Sequence, residues 1–328
     1  NYIEYDKLIL YGVLLMLSQM IVSLIYVSIT FCKYKEIRVR PEIDKCIFKQ
    51  IFSFSGWTLF GSIANVANLQ GMNIILNIFF GPIANAAYAI GNQVTYAVNS
   101  FGTNFFTAVK PGLMKTFATS DKKKMFELLE MSTKVSYLLL LVMVLPLCIE
   151  VKIVLTLWLG TIGEYMMQFT ILMLIYVLVL SLNNPITTIV QAAGKVKIYH
   201  GIIDTFTLLT IPLAILAFKL GAEPWTVFVI NIFIFCLAQF IRMQLLYKIT
   251  GYNKMTYVAN ILIPIFKLIL ISAPSCIVVR YFLQFDSYMD IIRIPIECLI
   301  IIIVGWFSIL SKDEQTKIML IVKSKISK

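Results

Sequence analysis

The chain has 328 residues, 59% hydrophobic and only 14% charged, and 28 Lys and Arg against 17 Asp and Glu leave a net charge of +11. An ordinary soluble domain carries roughly 25% charged residues, so these figures exclude a soluble globular enzyme, a disordered chain and a disulfide-rich secreted module. What remains is an all-α polytopic membrane protein with a basic excess that needs a location.

A membrane-spanning helix needs about 20 predominantly apolar residues. Nine stretches qualify, at about 9–32, 56–80, 87–109, 135–158, 166–189, 201–220, 225–247, 258–282 and 291–311. The chain opens on Asn1 rather than Met, with no signal-peptide pattern before the first stretch, so further helices are expected upstream. Of the 28 positive residues, 22 fall in alternate connecting segments: Lys33–Lys49, Lys110–Lys134, Lys195 with Lys197, Arg242–Lys254 and Lys312–Lys328. The positive-inside rule places those segments in the cytoplasm, with Asn1 outside and Lys328 inside. Topology thereby accounts for the basic excess, and nucleic acid is not an expected partner. The basic stretch Lys33–Lys49 reads either as an amphipathic connector along the headgroups or as a solvated loop.

Three of the stretches are unusually polar. On the third, at 100° per residue, Asn92, Gln93, Tyr96, Asn99, Ser100, Thr103, Asn104, Thr107 and Lys110 share an arc of roughly 140°. The fifth repeats the device with Asn183, Asn184, Thr187, Thr188 and Gln191, and Pro185 predicts a kink there. The second carries Asn65, Asn68, Gln70, Asn73 and Asn77, less cleanly sided. Lipid cannot satisfy these amides, so they must face protein or water. One or two such residues serve as helix–helix contacts; nine on one face suggest a hydrated cavity suited to a neutral polar ligand such as a sugar. Lys110, at the end of the stripe, is placed either to meet a phosphate or to snorkel to the interface.

Charged residues inside the stretches are few. Between Gly56 and Val109 there is no Asp or Glu. Asp204 and Glu297 fall near span ends and read as interfacial. Lys267 lies about 13 Å into the eighth stretch, as a paired functional charge or a snorkelling one. The six cysteines are scattered without a metal-ligand spacing, and the lone histidine, His200, argues against His-based catalysis and multi-His metal sites. No cofactor or metal is expected.

The stretch from Phe52 to Phe117 contains an FGP…AAYAIGNQV turn (Phe80, Gly81, Pro82 and Ala86–Val94) and an AVKP helix end (Ala108–Pro111). It resembles the start of the second lobe in Wzx-like polysaccharide flippases of the multidrug/oligosaccharidyl-lipid/polysaccharide (MOP, MATE-like) exporter superfamily. LWLG at Leu157–Gly160 and NNP…QAAGK at Asn183–Lys195 agree with it. The resemblance implies two six-helix bundles and two extra C-terminal helices. On that reading residues 1–32 are the last helix of the first lobe and 33–50 a basic cytoplasmic connector. Residues 51–250 are the second lobe, 251–311 the extra pair, and 312–328 a basic cytoplasmic tail. It implies a multi-pass protein of the bacterial inner membrane that flips lipid-linked oligosaccharide by alternating access in polysaccharide or lipopolysaccharide export. The implied partners are that substrate, membrane lipid and, as further candidates, other polysaccharide-assembly proteins. A cation-coupled drug or metabolite antiporter is the competing transporter reading, but it calls for a carboxylate in the second, third or fifth stretch. A membrane-embedded glycosyltransferase or polymerase is a third reading; it calls for a large catalytic loop, whereas the longest loops here run to about 20 residues, so the chain is not expected to be an enzyme.

Overall fold

The computed structural model describes residues 7–33, 44–283, 287–312, 314–316 and 319. Asn1, Lys328, most of the connector and most of the basic tail lie outside the described residues. Contacts divide the chain into two units, Asn1–Ile51 and Phe52–Lys328. The first contains α1, Lys7–Lys33, an apolar helix of 27 residues. At 1.5 Å per residue it is about 40 Å long, enough to cross a hydrocarbon core of about 30 Å.

Every secondary-structure element among the described residues is helical, and eight helices are long and apolar enough to cross a membrane. The longest, α2 (Lys45–Ala118, 74 residues), holds two of the predicted spans. It breaks at Gly81, whose φ of 75° and ψ of −166° are open essentially to glycine alone. Pro82 reinforces the break, because a residue before proline is disfavoured in helical geometry. The two arms then run side by side, since the Tyr88 hydroxyl donates to the Leu69 carbonyl at 3.0 Å. Met72, Ile75 and Leu76 of one arm share a buried cluster with Ala84, Ala87 and Tyr88 of the other.

Asp121 opens α3 (Lys122–Ile149), its carboxylate accepting from the Lys124 amide at 3.2 Å. That bond holds the Asp121 carboxyl below its ordinary range. The fourth predicted span is α3 continued by α4 (Val151–Leu159) after Glu150, and Gly160, at a φ of 78°, ends it. At the kink expected from Pro185, a two-residue turn separates α5 (Met166–Ser181) from α6 (Asn184–Ala192), with the proline in the first turn of α6. The sixth span is built in pieces: α7 (Val196–Tyr199), a π-helical turn (His200–Asp204), α8 (Thr205–Thr207) and α9 (Thr210–Lys219). Then come α10 (Thr226–Thr250), α11 (Lys254–Tyr257), a second π-helical turn (Val258–Leu262) and α12 (Ile263–Phe282). A 3₁₀ turn (Ser287–Ile292) leads into α13 (Arg293–Ser308).

The main core joins α3, α5, α6, α10, α12 and α13 through buried residues such as Leu140, Leu174, Ile189, Leu246, Leu268 and Ile301. Small residues set the spacing. A Cβ on Gly305 of α13 would overlap the Leu138 side chain of α3.

Two buried ion pairs pin α13 and its flanks to α3. Lys134 Nζ lies 2.7 Å from Glu314. At the other end Arg293 meets Glu150 at 2.9 Å and Asp290 at 2.8 Å. Lys134, counted from sequence as a loop charge, is thus buried inside α3. Glu297, expected at an interface, is fully buried, and neither carboxylate oxygen has a hydrogen-bond partner among the described residues.

Candidate functional site

A polar cavity of about 240 Å³ opens between the first arm of α2, α5, α6, the pieced sixth span and α10. The interruptions that precede or divide these elements supply its walls. Because the chain turns at 208–209, the Ile211 amide bonds to Leu208 rather than Thr207. The Thr207 carbonyl then accepts from Asn68 Nδ2 at 2.9 Å, which anchors α2 to the sixth span. Asn65 and Asn68 line the α2 wall; Asn183, Thr187 and Gln191 line the α6 wall.

Tyr199 ties the walls together. Its hydroxyl contacts Asn183 Oδ1, lies 2.9 Å from Thr187 Oγ1 and accepts from Arg242 Nε at 3.3 Å. Arg242 is 2% exposed, and its guanidinium sits 5.5 Å from the centre of the Phe235 ring. Among the described residues no carboxylate comes within 4.0 Å of it. Buried charges are ordinarily paired; here the partners among the described residues are the Tyr199 hydroxyl and the Phe235 ring.

The π-helical turn brings His200 Nδ1 to 2.7 Å from Asp204 Oδ2 in the same cavity. The His200 Nε2 atom is buried and has no hydrogen-bond partner among the described residues. Gly61 faces this pair, and a Cβ there would overlap the imidazole. Asp204 therefore lines the cavity, a position that its place near a span end did not suggest.

The cavity gathers five of the predicted residues: Asn65, Asn68, Asn183, Thr187 and Gln191. Asn73 lies farther along α2, its Oδ1 buried and unbonded among the described residues. Asn184 is half-buried outside the cavity lining, its carbonyl accepting from Thr188 at 3.1 Å.

The stripe on the second arm of α2 forms a separate surface. Gly91, Val98, Gly102, Phe106 and Leu113 are its buried line, while Gln93, Tyr96, Thr103 and Asn104 are exposed. Asn92, Asn99 and Lys110 are half-buried. The stripe's hydroxyls bond to their own helix, Thr103 to the Ser100 carbonyl at 3.0 Å and Thr107 to the Thr103 carbonyl at 2.8 Å. The side-chain amides of Gln93 and Asn104 form no hydrogen bond among the described residues.

Lys267 is exposed on α12 and forms no ion pair among the described residues. Sequence reasoning missed Arg242, Tyr199, His200 and Asp204 as cavity residues. For Arg242 the signal was present: it falls inside the stretch 225–247, yet its charge was assigned to the following loop. An ionisable residue within a span is a functional candidate by default.

These features define a multi-pass helical membrane protein with a polar internal cavity and a second polar helix face. Residues 7–162, just under half the chain, match the model of a family described as polysaccharide biosynthesis protein. The match covers α1 to α4, including the α2 wall of the cavity, and ends before α5, α6, the pieced sixth span and α10, which supply the rest of its lining. No curated protein and no solved structure matches the chain.

Proposed function

We propose that the protein is a polysaccharide-pathway transporter that flips lipid-linked oligosaccharide units across the bacterial cytoplasmic membrane by alternating access, and is not an enzyme. The observation that carries this reading is Arg242, a buried guanidinium without a carboxylate partner among the described residues, in a cavity whose lining is rich in amides and hydroxyls and also holds the His200–Asp204 pair. Amides and hydroxyls suit the hydroxyl groups of a sugar, and a guanidinium suits the phosphate that links sugar to lipid. The family match over residues 7–162 supports the pathway. On this reading the exposed stripe from Gln93 to Thr107 lines the hydrated path and the lipid tail stays in the bilayer. The ends of α2, α6 and α10 near Lys122, Lys195 and Lys248 face the cytoplasm.

The test is transport of a fluorescent lipid-linked oligosaccharide by the full-length protein in proteoliposomes. Arg242→Gln and the pair Asn65→Ala/Asn183→Ala each reduce the rate at least tenfold at equal insertion. Unchanged flipping in all of these variants sinks the cavity assignment.

Asp204 favours a second reading, a cation-coupled antiporter of the same superfamily. The sequence offered no carboxylate on the second, third or fifth stretch, but Asp204 enters the cavity from the sixth, paired with His200. Proton- or sodium-driven efflux of a small cation, abolished by Asp204→Asn, would select that reading.

A further inference from the structure

A second cavity, of about 440 Å³, lies where α2, α6 and α10 end. Its wall is apolar: Phe117 from α2, Ile198 and Ile202 from the sixth span, Leu245 and Ile249 from α10. Ile198 and Ile202 remain 47% and 45% exposed, so the pocket displays greasy surface rather than enclosing it. Two lysines stand in the lining, Lys195 just before α7 and Lys248 in the last turn of α10. Both are exposed, and neither forms an ion pair among the described residues. Two acidic groups at the start of α3 and along it are committed to other partners. Asp121 caps α3 and pairs with Lys124, and Glu130 accepts from Tyr252 and Asn260. No carboxylate lines this pocket.

An apolar wall with unpaired cations, at the ends of membrane-crossing helices, is complementary to an amphiphile with an anionic head. We propose that the pocket binds an anionic phospholipid, its acyl chain against Ile198, Ile202 and Leu245 and its phosphate held by Lys195 and Lys248. Tyr199 lines this pocket and the polar cavity alike. A bound acyl chain therefore buttresses the residue whose hydroxyl positions Asn183 and Arg242. The proposal does not depend on what the polar cavity carries.

The test uses the full-length protein in nanodiscs of neutral lipid with trace photoactivatable phosphatidylglycerol or phosphatidylcholine, and maps the cross-linked peptides by mass spectrometry. Phosphatidylglycerol should label 196–202 and 245–249, and phosphatidylcholine far less. Lys195→Gln/Lys248→Gln should weaken phosphatidylglycerol labelling roughly 25-fold, about fivefold per lysine, with phosphatidylcholine labelling unchanged. Equal labelling by the two lipids in the parent overturns the proposal whether or not the variant folds. So does parental labelling of the double variant. Polyprenyl phosphate supplies the same chemistry from another source: if it displaces the probe at lower concentration than phosphatidylglycerol does, the pocket belongs to a carrier lipid instead. Failure of the lipid site leaves the transport assay unaffected, so the two proposals fall separately.

Discussion

Replacing Arg293 with Gln tests what holds α13 against α3. Arg293 Nε and Nη2 both lie 2.9 Å from Glu150 carboxylate oxygens, and Nη1 reaches Asp290 at 2.8 Å and the Leu283 carbonyl at 3.0 Å. The paired side chains are 5% and 0% exposed, so water cannot stand in for the lost guanidinium. Breaking a buried pair from one side costs about 3–5 kcal/mol, chiefly because the surviving charge stays buried and alone. Arg293→Gln should therefore lower unfolding free energy by about 3–5 kcal/mol. Glu150→Leu/Arg293→Met removes both charges and should recover most of that loss, because well-packed apolar replacements of a buried pair are often neutral. The assay is SDS titration of the purified protein followed by tryptophan fluorescence; Trp306 lies on α13 itself. The reasoning fails if Arg293→Gln stays within about 1 kcal/mol of the parent, or if the double variant is as unstable as the single one.

Gly81→Ala should cost about 1–3 kcal/mol, since the backbone there occupies a region other residues avoid; the same SDS titration reads it. Gly61→Ala should displace the His200 ring and destabilise by about 1–3 kcal/mol through overpacking, with His200→Ala in the same background restoring stability but not transport. Thr103→Cys and Asn104→Cys, placed in a background with the six native cysteines replaced, should react with a membrane-impermeant maleimide at least tenfold faster than Leu270→Cys on the apolar face of α12. Equal rates would remove water from the stripe.

Most of the helical plan was legible in the sequence, because a 30 Å apolar solvent imposes a length that hydropathy reports directly. Two interruptions were legible too: Gly81-Pro82 names its own backbone break, and Pro185 names the one between α5 and α6. The site was legible only in part. Counting at 100° per residue finds that Asn92, Asn99 and Thr103 share a side, but not what that side faces. It put the stripe and the α6 amides in one cavity, whereas the stripe has a surface of its own on the second arm of α2. Arg242 and Lys134 were hidden by a rule about loops, because each lies within a few residues of a predicted span end. Arg242 is kept inside by Tyr199 and Phe235, and Lys134 by Glu314, contacts between segments far apart in the chain or a full two turns along α10. Asp204 shares a helix face with His200 four residues earlier, but which neighbour that face meets is set by packing that no composition window detects.

The fold-back at Gly81 makes the two arms of α2 a single lever. Asn65 and Asn68 ride on one limb and Thr103 and Asn104 on the other, clasped by Tyr88 on Leu69. A tilt of this hairpin cannot reshape the cavity wall without also swinging the exposed stripe. The Tyr88 hydroxyl and the shared apolar cluster brace the limbs across the glycine break, so displacement at either polar surface is delivered to the other.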